Sequence, residues 1–184
     1  NHTELDQYLE IIKSCLIESG TKINKWREKF MLEVLLLYLI IPVGLISSIG
    51  RYGKYGEQRY RQQFQVVFDW LSFNSSLVES HLGSRLALAF DPRYISKSGK
   101  STPYPSRFWS GCAGKAKRGL EISGIGVMDL DLHTRLHLEA VQTPDTSTLK
   151  TMTGRWWIDT CMYCVEEINR KLWEKGIKFA AIAA

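Results

Sequence analysis

One carboxylate in this chain stands among cations. From residue 81 to residue 120 there are eight Lys or Arg side chains and a single acid, Asp91. The flanks differ: residues 1–80 hold nine basic and nine acidic residues, and residues 121–184 hold seven basic against nine acidic. The net charge of +5 therefore comes from one segment, which suits an anionic partner. Asp91 closes the apolar run Leu86-Ala87-Leu88-Ala89-Phe90, and Pro92 follows directly. An ionised carboxylate at the end of a buried strand is costly unless something pairs with it, so Asp91 is a candidate metal ligand and catalytic residue. Lys97, Lys100, Lys115, Lys117 and Arg118 are candidate phosphate contacts. A carboxylate-held metal beside a grip for a polyanion is the equipment of phosphodiester chemistry, in which two Mg2+ ions activate the attacking oxygen and neutralise the leaving one. Taken singly, Asp-Pro is ordinary turn chemistry and a basic loop is ordinary surface. Their coincidence favours the functional reading.

Other residues that could do chemistry are less well placed. The stretch GCAGKAKRG (111–119) looks like a nucleotide-binding loop, but Ala116 stands where a Ser or Thr hydroxyl is required, so ATP is not expected. Cys161 and Cys164 form a C-x-x-C inside a helical pattern with no second pair, which argues against zinc or redox use. The thiols read as reduced and intracellular. Asp129, Asp131, His133 and His137 read as the outward face and tip of a hairpin rather than a metal site.

Several elements must position these groups. With 184 residues, 45% apolar and 23% charged, the chain has material for a globular core. Leu5, Leu9, Ile12 and Leu16 recur at helical spacing, which predicts a helix over residues 3–18 ended near Gly20. A second helix is predicted after Asn24, stopping before Pro42. Its run Val34–Ile41 is apolar on every face and should be buried all round. The uncharged stretch from Val34 to Gly50 is interrupted by Pro42 and falls short of the roughly 20 residues a membrane span needs. Gly50, Gly53 and Gly56 then punctuate a tight loop, and Glu57 opens a helix bearing Arg59, Arg61, Gln62 and Gln63. Helix, glycine turn and Arg/Gln-bearing helix suggest a helix-turn-helix unit, with Arg51, Lys54, Arg59 and Arg61 as DNA contacts. Residues 64–80 read as aromatic packing and a Ser/Asn-rich linker, with a domain boundary near residue 80.

Beyond that boundary the pattern predicts a strand from Arg85 to Asp91, a basic loop, and a hairpin of Leu120–Leu130 and Arg135–Val141. One long helix is then expected from Thr148 to a Gly176 cap, followed by a strand from Ile177. Three strands able to pair as a meander, then a helix and a fourth strand parallel to the first, are the opening β-β-β-α-β of an RNase H-like fold. The fold class expected is α+β: a helical DNA-binding region over 1–80 and a partial RNase H-like domain over 81–184.

The segments AFDPRYISKSGK (89–100), FWSGCAGKAKRGLEISGI (108–125), HLEAVQTP (137–144) and GRYGKYGEQRYRQQF (50–64) together resemble DDE-type transposases of bacterial insertion sequences. The resemblance spans roughly residues 25–184. It implies DNA transposition by metal-dependent strand cleavage and transfer, with Mg2+ as cofactor, element ends and target DNA as partners, and a homodimer in a paired-end complex. The first Asp of the Asp-Asp-Glu triad maps onto Asp91. The second Asp is expected just beyond Ala184, and Arg93 stands where many relatives carry a small or hydroxyl residue. The chain lacks an initiator Met and both ends are abrupt, so it reads as a piece incomplete at both ends and inactive alone. A cytoplasmic, nucleoid-associated bacterial protein is implied. The competing readings are a non-catalytic DNA-binding remnant that inhibits transposition and an RNase H-like nuclease unrelated to mobility.

Overall fold

The computed structural model describes residues 3–20, 23–41, 46–97, 99, 102, 104–154 and 160–183. The fold is α+β, with a helical N-terminal region and a mixed five-stranded sheet. It divides into two units, Asn1–Ser76 and Leu77–Ala184, where composition alone suggested a division at residue 80. Among the described residues no helix is long and apolar enough to cross a membrane.

In the first unit, α1 (Glu4–Glu18) opens on a capping box. Thr3 and Asp6 satisfy each other's backbone N–H groups, and Gly20 lies just beyond the helix at φ 64°. The second helix, α2 (Lys25–Ile40), starts where Asn24 accepts from the Arg27 amide. Only its first half is buried, at Arg27, Phe30, Met31 and Val34. Tyr38, Leu39 and Ile40 are 45%, 58% and 71% exposed, so the expectation of all-round burial fails. The aromatic rings of Tyr55, Tyr60 and Phe64 pack against Phe30 near the start of α2 and leave the last turn uncovered.

Two short helices, α3 (Ile46–Tyr52) and α4 (Glu57–Phe64), follow α2. Gly50 is not loop punctuation. It lies inside α3, where a Cβ would sit 2.9 Å from the Glu57 backbone, so its lack of a side chain lets the two helices approach. The buried Arg27 guanidinium donates to the Gln63 and Val66 carbonyls at 2.8 and 3.0 Å, placing positive charge at the C-terminal end of α4. The expected linker is a helix instead, α5 (Trp70–His81), capped by Asp69, which accepts from the Ser72 amide at 2.9 Å. Ser75 and Ser76 are buried because their hydroxyls donate back to the Leu71 and Ser72 carbonyls. A Ser-rich composition therefore did not signal a linker here.

The second unit is built on β1 (Leu86–Ser96), β2 (Ser106–Ser110), β3 (Lys115–Asp129), β4 (Arg135–Gln142) and β5 (Phe179–Ala183). β3 pairs antiparallel with β1 along its length, and β5 pairs parallel with Leu86–Ala89 of β1. Gly119 pairs with both Ser96 and Ser106, and Gly124 with both Asp91 and Ala140. Hence β2 and β4 share the flank of β3 opposite β1. The meander and the parallel return strand beside the first match the expected pairing.

Three expectations change in this unit. First, the opening strand does not stop at Asp91 but runs on through Pro92 to Ser96. Among the described residues no β5 residue pairs with β1 beyond Ala89, so the amide that Pro92 lacks costs no described ladder bond. Second, the basic segment is not a loop: Ser106–Ser110 is a strand, and Lys115–Gly119 begins β3. Gly111–Ala113 forms a turn of 3-10 helix, and Gly114 closes it at φ 57°, a conformation glycine adopts without strain. Third, the long helix is two. α6 (Thr146–Thr153) ends at Gly154 in the left-handed region at φ 68°, and α7 spans Thr160–Glu174. The expected helical residues 155–159 lie outside the described residues.

Strand alternation gives the sheet two faces. On the first, Leu86, Leu88 and Phe90 lie with Ser123, Ile125 and Val127, all buried. α7 covers this face with Cys164, Val165, Ile168 and Leu172, and burial first, then the charge of Glu121, raises the Cys164 thiol pKa. The second face carries Ala87, Ala89, Asp91, Arg93 and Ile95 of β1, opposite Met128, Gly126, Gly124, Ile122 and Leu120.

Candidate nucleic-acid interface

Asp91 is exposed on the second face, flanked across the sheet by Gly124 and beyond it by Ala140. Among the described residues only these small neighbours share its row. His137 lies on the same face one row away, opposite Gly126, at the rim of a shallow depression of about 350 Å3 that Ala89, Met128 and Arg135 also line. Arg93 follows two residues along β1, exposed and on the same face. The sequence reading left His137 on a solvated hairpin. Only the register of β4 against β3 brings it to the Asp91 face.

The same face continues onto the hairpin of β2 and the start of β3. Arg107 stands directly opposite Arg118, and Trp109 opposite Ala116. All four are exposed. From Gly124, the partner of Asp91, to Arg118 is six residues along β3, or about 20 Å at roughly 3.3 Å per residue. Lys115 and Lys117 are exposed on the opposite face of the arm. At its base the Tyr94 hydroxyl donates to the Arg118 carbonyl at 2.8 Å, and the Tyr94 ring lies over Gly119, where a Cβ would meet it at 2.5 Å. Lys97 is exposed just beyond β1, and Lys100 lies outside the described residues. The structure thus brings Arg118 onto the Asp91 face with Arg107, Arg93 and Trp109, three residues the site assignment from sequence omitted. Period-two alternation in Ser106-Arg107-Phe108-Trp109-Ser110 was the available signal.

The cations of the first unit are placed differently. Arg51 is exposed in the last turn of α3. The Lys54 amide donates to Glu33 at 2.6 Å, which fixes the turn and leaves its ammonium outside. Tyr60 donates to the same carboxylate at 2.5 Å, and burial first, then this bond, pushes the phenol up to about 12. Arg59 lies over the Trp26 ring at 4.9 Å. Arg61 is held by Glu57 at 2.5 Å, so a phosphate would have to compete with that pair.

Of the two hairpin acids, Asp131 is exposed at the turn as expected, and only Asp129 departs from the outward placement. Asp129 is 2% exposed. It accepts from the Leu132, Gly83 and Asp131 amides at 2.8, 2.5 and 2.8 Å, which holds its carboxyl below the ordinary range. Asp131 pairs with Arg85 at 3.2 Å. Both acids bind the turn to the rest of the unit. Among the described residues no three His, Cys, Asp or Glu side chains group closely enough to hold a metal. Comparison with protein-family models, with curated proteins and with solved structures finds no match to this chain.

Proposed function

We propose that this chain is the DNA-binding front portion of a DDE-type transposase, with residues 81–184 the opening of its RNase H-like catalytic domain. The supporting observation is the continuity of one sheet face, which carries the Asp91 carboxylate on β1 and the exposed cations Arg93, Arg107 and Arg118. A strand order with β1 between β3 and a parallel β5 is what that fold requires. The β5 register, Leu88 beside Ile182 and Ala89 beside Ala183, extrapolates to set the position after Ala184 beside Asp91. A carboxylate there, in a protein of which this chain is part, would stand with Asp91 as two-metal chemistry needs.

The present chain should bind duplex DNA with steep salt dependence. Replacing Arg93, Arg107 and Arg118 by Gln should lower the slope of log K against log salt by about 2 to 3; an unchanged slope would remove the basis of the reading. In a chain extended past Ala184, Asp91→Asn should abolish Mg2+-dependent end cleavage and leave DNA affinity within about twofold, since a lone exposed carboxylate contributes little to holding phosphates.

A further inference from the structure

We infer that the β2–β3 arm is a stacking site for an unpaired base, with Trp109 as the platform and Arg107 and Arg118 as the grips on the flanking phosphates. Trp109 is 65% exposed, an unusual setting for the largest apolar side chain. Trp26 stacks on Phe30, Trp70 packs against Phe68 and Phe73, and Trp173 lies under Lys178. Trp109 has no ring or cation partner among the described residues. Its cross-strand neighbour is Ala116, too short to cover the indole, so one flat surface stays open.

The next row of the same face carries two arginines directly opposite each other, Arg107 and Arg118. Like charges in that position weaken a strand pair. No carboxylate lies between Pro92 and Leu120 to relieve them. Arg107 Nη2 lies 3.4 Å from the carbonyl of Ala116, which leans the guanidinium toward the Trp109 row. An anion at one row and a flat apolar group at the next is the repeat of a nucleic-acid strand, in which phosphate and base alternate. In an intact duplex the base faces are already stacked, so the site calls for a base that is unpaired. A lipid surface fits less well. The tip of the arm is Gly111-Cys112-Ala113-Gly114, without a bulky apolar side chain to enter a bilayer.

This inference rests on the DNA-binding reading, and one experiment separates the two. Fluorescence anisotropy with the full chain would compare a labelled duplex, the same duplex with three unpaired bases at one end, and the single strand. Trp109→Ala should weaken binding to the two unpaired forms about tenfold or more and leave the duplex within about twofold. Trp109→Phe should restore most of the loss. Replacing Arg107 and Arg118 by Gln should weaken all three forms and lower the salt slope by about 1.5. Because Trp109 is exposed, an unchanged melting temperature will show that the variants are folded. Equal losses on paired and unpaired DNA, or none on either, would overturn the stacking site while leaving DNA binding intact. Binding to none of the three forms would overturn the DNA-binding reading as well. Trp109-dependent binding to anionic phospholipid vesicles, without preference for unpaired DNA, would assign the arm to a membrane surface instead.

Discussion

Asp91 shows how much a single side chain depends on what stands beside it. Facing Gly124 across the ladder, with Ala140 beyond, it is exposed beside small residues rather than packed against large ones. Gly119 illustrates the opposite case. Its missing Cβ would lie 2.4 Å from the Ile95 carbonyl oxygen and 2.5 Å from the Tyr94 ring. Gly119→Ala should therefore destabilise the second unit by about 1–3 kcal/mol through overpacking at the root of the arm, measured by urea denaturation. In the first unit, Tyr60 is fully buried and its hydroxyl joins Glu33 to the turn that carries Lys54. Tyr60→Phe leaves the ring packing and removes that bond to a charged acceptor, so a loss of about 1.5–3 kcal/mol is expected. A variant as stable as the parent would mean that the turn is held by the Lys54 amide alone.

Among the elements, the arm and α6 depend on different local devices. The arm has no buried core of its own: Lys115 to Arg118 are all exposed. It is ordered by its ladders with β1 and β2 and by the Tyr94–Arg118 bond at its base. α6 is short, eight residues, and a helix of that length is marginal without a cap. Asp145 supplies one. It accepts from the Ser147 and Thr148 amides at 3.0 Å and from both of their hydroxyls. Asp145→Ala should cost about 0.5–2 kcal/mol and speed amide hydrogen exchange in α6 first. Uniform acceleration across the unit would show that α6 is not a separate unit of opening.

For the molecule as a whole, acid is the condition to which the sheet unit should respond. Asp129 and Asp145 both have folded pKa values below their ordinary one. For Asp129 the chief cause is the Leu132 amide, and for Asp145 it is the Ser147 hydroxyl. A depressed carboxylate contributes stability that is fully present above its unfolded value and is lost as pH falls through its folded value. For Asp145 that window runs from 3.8 down to about 2. The melting temperature should fall across it, and Asp145→Asn should remove part of the fall. A melting temperature that stays level through the window would show these carboxylates to be uncoupled from folding.

Local chemistry made much of this legible in the residues themselves. Helices α1 and α2 follow from apolar spacing and from the Thr3 and Asn24 caps, because such signals act within one or two turns. The hairpin of β3 and β4 and the parallel placement of β5 follow from alternation and from the handedness of a helical crossover. Misreadings came where composition stood in for contact. Serines marked a linker but satisfied themselves inside α5. Pro92 marked a stop but lies within β1, and glycines and lysines marked a loop where a strand partner, β2, was available. By itself the sequence determined which side chains are charged, which runs are apolar, and that Asp91 is the sole acid of a basic segment. Only the tertiary structure decided that Asp91, His137, Arg93, Arg107, Arg118 and Trp109 share one face. Facing is set by register between strands far apart in the chain, and a shift of one residue would turn every one of these side chains to the other side.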